Sequence, residues 1–264
     1  MKNAGTFNMY HFIRYRKSDI FLLSILFLST LAIIPTKSMA EEQNTSCKIK
    51  DRICIINKMI AQSSEIDNKA WKDQTYREIA KTLAFDREFE EALSVIDLIE
   101  TPDTKAMSIR GVGMMLGHYG EDKESLAKKF AKLRVKADSI THPPSHGIAL
   151  TYIAMAQAFT DDNEGAWKTT EDMKNTALKH KAYGETAEIQ AEKGDFKSAQ
   201  ISINKIDSLS FRNKAYEIIS KILSDKKLYE DAYKAANAIT NAYKKTQAIQ
   251  YMLDKQKPRD RVQK

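Results

Sequence analysis

An all-α solenoid of antiparallel helix hairpins, about five to six pairs with a period of about 33 residues and one longer repeat, is the fold class this sequence predicts. Three observations predict it. Ala106, Ala149, Ala182, Ala215 and Ala248 recur at spacings of 43, 33, 33 and 33, and self-similarity at such a period marks helical units that bury their apolar faces on one another. Small residues also pair at a constant offset. Ala80 with Ala92, Ala154 with Ala166, Ala187 with Ala199, and Ser220 with Ala232 are each 12 apart, as expected where two helices touch closely. Beyond residue 40 the chain is poor in Gly and Pro and rich in Ala, Lys, Ile and Glu, which suits one continuous helical domain.

Residues 1–40 read as a signal peptide. Arg14, Arg16 and Lys17 supply a basic start, and Ile20 to Ile34 forms an apolar run interrupted by Ser24, Ser29 and Thr30. That run is shorter than the roughly 18 residues of a spanning helix. Ser38-Met39-Ala40 has the small-x-small pattern of a cleavage site, so the mature chain is expected to begin at Glu41, in the periplasm or secreted. The alternative is an uncleaved leader that anchors the chain in a membrane, facing outward. The leader carries five of the basic residues and one of the acidic ones, so the mature balance is 37 against 34, or +3. Most of the basicity thus belongs to the leader, and no nucleic-acid partner is expected.

Residues 41–75 are expected to form N-terminal capping helices. Cys47 and Cys54 are the only cysteines, and export makes a disulfide plausible. On one helix, seven residues would separate their Cα atoms by about 10.5 Å, too far for a bridge. If the helix starts after Lys48, Cys47 can fold back onto Cys54 and staple the N-terminal cap; the alternative is two free, buried thiols.

Residues 76–254 hold the repeats. Tyr76, Leu150, Tyr183 and Tyr216 are read as opening the first helix of a pair, and Ile99, Met173, Ile206 and Ile239, each 23 further on, as closing the second. Phe89, Phe196 and Tyr229 sit 13 after the opener, where a ring plugs the gap beyond the turn. Asp86-Arg87-Glu88, Asp161-Asp162-Asn163, Lys193-Gly194-Asp195 and Asp225-Lys226-Lys227 break the apolar period as turns.

A hairpin of about 34 residues with these small positions resembles the tetratricopeptide repeat (TPR) and its relatives. The resemblance covers Tyr76 to Leu253. Gly194 and Ala199 match the family's small positions and Phe196 a favoured aromatic. No repeat carries the Trp-x2-Leu-Gly-x2-Tyr opening, and only Pro102 answers to the closing proline, so the chain is expected to be a degenerate, Ala-rich member or a neighbouring α-solenoid. The resemblance implies a right-handed solenoid that binds a protein or an extended peptide in a groove lined by first helices.

The interval from Ala106 to Ala149 is ten residues longer than the others. Glu124 to Ile140 reads as an extended second helix, and Thr141-His142-Pro143-Pro144-Ser145-His146 as its terminating loop. The loop is read as a spacer, since two histidines across three loop residues fix no metal geometry and no Cys, Asp or Glu lies within it. Gly111, Gly113, Gly117 and Gly120 follow no strand and precede no Gly-Lys-Ser or Gly-Lys-Thr, which leaves close helix packing as their role. Glu90-Glu91 and Asp161-Asp162 are adjacent carboxylates on solvated faces, not a separated acid and base.

The positions flanking each small residue define a candidate groove. Arg77, Lys81 and Phe85 surround Ala80. Arg110, Met114 and His118 form one stripe at Gly113. Thr151, Met155 and Phe159 continue it, followed by Glu188, Lys221 and Asp225. Such a groove is basic at one end, apolar in the middle and mixed at the other, and suits an extended segment with acidic and apolar portions. The expectation is an exported, non-catalytic scaffold for protein or peptide binding, with no cofactor and no metal, and membrane contact only if the leader is retained. A helical enzyme acting on envelope glycan is the rival reading, which requires paired carboxylates in a pocket. Residues 255–264 read as a basic, disordered tail.

Overall fold

The computed structural model describes residues 46–256, and the described residues are all-α, with twelve α-helices and no strand. The signal peptide expected over residues 1–40 lies outside the described residues, as do residues 257–264 of the expected tail. Lys255, read above as the first tail residue, closes the last helix instead.

One helix, α1 (Arg52–Ser64), precedes a regular alternation. The long helices are α2 (Lys69–Phe85), α4 (Pro102–Met115, extended by a 3-10 turn at Leu116–His118), α6 (Pro143–Phe159), α8 (Thr176–Glu192), α10 (Leu209–Asp225) and α12 (Ala242–Lys255). Between them stand α3 (Phe89–Asp97), α5 (Lys123–Asp138), α7 (Asn163–Glu171), α9 (Phe196–Asn204) and α11 (Tyr229–Asn237). Each long helix packs on the next long helix, in order from α2 to α12. The short helices α3, α7, α9 and α11 pack on the long helix before them, and α5 rests on both α4 and α6.

Local chemistry sets the ends. Asn68, Asn175 and Asn241 stand before α2, α8 and α12, and the side chain of each accepts a backbone N–H three residues on. Asp51, Asp122, Asp162 and Asp195 do the same for α1, α5, α7 and α9. Each such cap contributes about 1 kcal/mol. Pro102 and Pro143 begin α4 and α6, where a missing N–H costs nothing. Counted from the first residue of each long helix, position 19 is Arg87, Gly120, Asp161, Gly194 and Lys227, and all five have positive φ. In four of the turns the next residue's N–H reaches back to a carbonyl five residues earlier, as Glu88 does to Leu83 and Asp195 to Gln190, which closes the helix end.

Four sequence readings need correction. First, successive long helices start 33 apart except for α4 and α6, whose starts are 41 apart, so the insertion is eight residues and not ten. Ala106 is two places out of register; its repeat-equivalent is Ser108, also buried. Second, Tyr76, Leu150, Tyr183 and Tyr216 occupy position 8, mid-helix, because the polar first two turns hide the helix start from a hydrophobic pattern. The expected capping segment, residues 41–75, therefore runs into α2. Third, Ile99, Met173, Ile206 and Ile239 lie just past the short helices, buried in the connections. Fourth, Pro143, Pro144, Ser145 and His146 form the first turn of α6 and not a loop.

All eight small residues paired at an offset of 12 are buried, at 1 % exposure or less. Of the seven alanines among them, five sit in two main clusters, one from Ile56 to Ala182 and one from Tyr183 to Met252, and Ala154 and Ala166 sit with Ala158 in a smaller third. A polar seam joins α7, α8 and α9. Trp167 Nε1 donates to Ser202 Oγ (2.7 Å), Ser202 to Gln190 Oε1 (2.7 Å), and Gln190 Nε2 to Asn163 Oδ1 (2.7 Å). A disulfide joins Cys47, ahead of α1, to Cys54 within it, with Cα atoms 5.7 Å apart.

Candidate binding cleft

Position 9, 13 and 17 side chains of α2 and α4 lie on one face of each helix, and the two helices pack side by side. Between them and α6 opens a cleft of about 350 Å³. Of the seven residues selected from the sequence, Arg77, Lys81, Arg110, Met114 and His118 line it. Thr151 and Met155 do not, and are withdrawn as groove residues. Each is 3 % exposed, and the Thr151 hydroxyl donates to Gly147 O within its own helix. The register was right, but α6 is enclosed by α4, α5, α7 and α8, so its equivalent positions are covered. Tyr152 forms the wall there instead.

Glu78, Met107, Gly111, Met115 and Tyr152 also line the cleft and were not read from the sequence. A signal was present: Met107, Gly111 and Met115 form a second stripe at spacing four, beside Arg110, Met114 and His118. Gly113 and Gly117 serve the close packing expected of them. A Cβ on Gly113 would stand 3.0 Å from Ala156 Cβ, and one on Gly117 2.4 Å from the Phe159 ring.

Positive charge dominates the cleft. Arg77 Nη2 bonds Glu78 Oε1 at 2.7 Å, and its other terminal nitrogen approaches Met107 Sδ at 3.8 Å. The Arg110 guanidinium lies over the Tyr152 ring, 5.4 Å from its centre. Lys81 makes no ion pair among the described residues, and its aliphatic stem lies over Gly111. The lining holds three cations and one carboxylate, Glu78, which is bonded to Arg77, so a bound anionic group would meet a favourable field. Met107, Met114 and Met115 supply soft apolar surface in the same lining.

The far end of the expected groove is occupied by its own pairs. Lys221 bonds Glu217 at 2.9 Å, and Asp225 bonds Lys255 at 2.7 Å. Glu188 is mostly buried, and burial, followed by the neighbouring Glu185 carboxylate, pushes it up to about 7. The two histidines at the start of α6 are engaged locally: His142 Nδ1 lies 2.7 Å from Ser145 Oγ, and His146 Nε2 3.0 Å from Asp138 Oδ1. Among the described residues no group of three His, Cys, Asp or Glu could hold a metal ion, and no helix is long and apolar enough to cross a membrane. Comparison of the chain with family models, with curated proteins and with solved structures returns no match.

Proposed function

We propose that this chain is an exported, TPR-like, right-handed solenoid of antiparallel helix hairpins. In this reading it acts as a scaffold, capturing extended protein segments in the cleft between α2, α4 and α6. The observation that carries the reading is the convergence of Arg77, Lys81 and Arg110, on consecutive long helices, with Met107, Met114 and Met115 in one cleft lining. Stacked helical units build extended surfaces of this kind. A cation-rimmed, apolar recess selects segments that pair carboxylates with apolar side chains. The order of helix contacts and the regular spacing of the long helices support the solenoid. The bridge between Cys47 and Cys54 and the leader-like residues 1–40 support export, because disulfides persist in oxidising compartments.

Reversal of the three cations tests it. The triple variant Arg77→Glu, Lys81→Glu, Arg110→Glu should keep its helical content and melt cooperatively. Crosslinking in the native compartment should then trap a partner with the parent chain and much less of it with the variant, the contrast widening at low salt. Equal trapping by both chains would refute the cleft as the capture surface.

A further inference from the structure

Position 10 of the long helices is Glu78, Gly111, Tyr152, Glu185, Ile218 and Tyr251, and the first three of these line the cleft. Only α4 has no side chain there. Packing does not require this absence. A Cβ on Gly111 would meet the Cβ, Cγ and Cδ of Lys81 at 3.7 to 3.9 Å, ordinary contact with a flexible stem, and Gly111 has no positive φ. Gly113 and Gly117, on the same stretch of chain, are hemmed in as described above. A glycine in the middle of a helix weakens it, so one that neither turns the chain nor admits a neighbouring helix calls for another reason. The space it leaves borders the cleft: only the flexible Lys81 stem lies over it, in ordinary contact, and Tyr152 lines the same cleft.

We infer that Gly111 determines specificity: its missing side chain leaves a recess for one large apolar side chain of an extended peptide whose flanking residues are acidic. This rests on the reading of the cleft as a capture surface. The three methionines around the recess can adapt to different apolar shapes, so the recess accepts Phe, Leu or Met and is not cut to one of them. Lys81 and Arg77 belong to the same lining, so carboxylates on either side of the anchor gain from the field and lysines there are repelled. A volume of about 350 Å³ falls at the small end of ligand-sized clefts, enough for an anchor and not for a folded element.

Three blocked pentapeptides test the inference by calorimetric titration: Ala-Glu-Phe-Glu-Ala, Ala-Glu-Ala-Glu-Ala and Ala-Lys-Phe-Lys-Ala. The chains to compare are the parent, Gly111→Ala and Gly111→Leu. The Glu-Phe-Glu peptide should bind the parent at least tenfold more tightly than the other two. Gly111→Leu should lose at least tenfold of that affinity and Gly111→Ala less, while both variants melt at or above the parent's temperature. Undiminished binding to Gly111→Leu would overturn the recess, and so would equal binding of the Glu-Ala-Glu peptide. Dodecanoate, which joins a carboxylate to an apolar chain without a peptide backbone, is the competing occupant. If it binds the parent more tightly than Glu-Phe-Glu and loses that binding in Gly111→Leu, the peptide assignment falls. If Glu-Phe-Glu does not bind the parent at all, the inference fails. Partner trapping that still depends on Arg77, Lys81 and Arg110 would then leave the broader scaffold reading standing.

Discussion

Helices α2, α4 and α6 in the first half and α8 and α10 in the second share one framework and differ on the face that the cleft opens from; the terminal α12 departs from it, with Leu253 exposed at position 12. Position 8 holds Tyr76, Ile109 and Leu150 in the first half and Tyr183 and Tyr216 in the second, all buried. Position 12 holds Ala80, Gly113 and Ala154, then Ala187 and Ser220, again all buried. On the cleft-facing positions the first half carries an excess of positive charge, methionine and a glycine. The second half carries at the same positions pairs such as Lys181–Glu185 and Lys221–Glu217, together with Ile218 and a glycine of its own, Gly184, at position 9. Residues pressed between helices are constrained to one size, whereas residues facing outward are free to diverge, and binding chemistry accumulates in the second set.

Breaking the shared framework should have the largest effect, and an equal one in either half. Ala80→Arg and Ala199→Arg each place a long charged side chain where exposure is 0 %, and each should lower stability by ~3 kcal/mol or more. Thermal or urea melts check this. An unchanged profile for either variant would mean that the small positions do not hold the helices together.

A subtler contrast lies within α4 and its 3-10 extension. Gly117→Ala drives a Cβ into the Phe159 ring and should cost roughly 1–3 kcal/mol through overpacking. Gly111→Ala, in open contact with Lys81, should gain about 0.5–1 kcal/mol from helix propensity. Opposite signs in a urea melt would separate the packing glycine from the cleft glycine.

Glu188 distinguishes the second half by pH. Its carboxyl is raised from 4.5 to about 7 by burial and then by Glu185. A carboxyl raised in the folded chain binds more protons folded than unfolded across this window. Stability should therefore fall as pH rises from about 4.5 to about 7 and level off above. Glu188→Gln should remove that slope and gain on the order of 2 kcal/mol at pH 8. Asp73 and Glu217 are lowered and act at lower pH, so the difference between parent and variant between pH 5 and 8 isolates Glu188.

A comparably small effect belongs to the turns. Lys227 holds φ 64° at the position where Gly194 holds 80°, and a side chain in that region costs about 1 kcal/mol. Lys227→Gly should be stabilising and Gly194→Ala destabilising, by roughly 1 kcal/mol each. Calorimetric melting temperatures moving in the same direction would contradict the turn assignment.

The helical class, the regular period, the small positions and the stripe of Arg77, Lys81, Arg110, Met114 and His118 were legible in the sequence, because periodic burial leaves a periodic imprint. Helix starts were less so. Asn68, Asn175 and Asn241 cap the long helices through one side-chain bond each, a signal that the hydrophobic pattern, which begins only at position 8, does not carry. The seam of Trp167, Ser202, Gln190 and Asn163 was invisible because it joins residues from separate repeats, such as Trp167 to Ser202, with nothing in any one of them to indicate the others.

The sequence by itself determined which residues repeat and therefore which must be small, since a chain that stacks like units on each other writes the same contact at each step. Only the tertiary structure decided which of the equivalent outward positions stay open. Thr151 and Met155 share the register of Arg77 and Lys81, yet four neighbouring helices cover them. Gly111 and Gly113, two residues apart, face the flexible Lys81 stem at the cleft and a tightly held methyl group respectively. Accessibility depends on what the neighbouring helices place against a residue, and local sequence spacing holds no record of that.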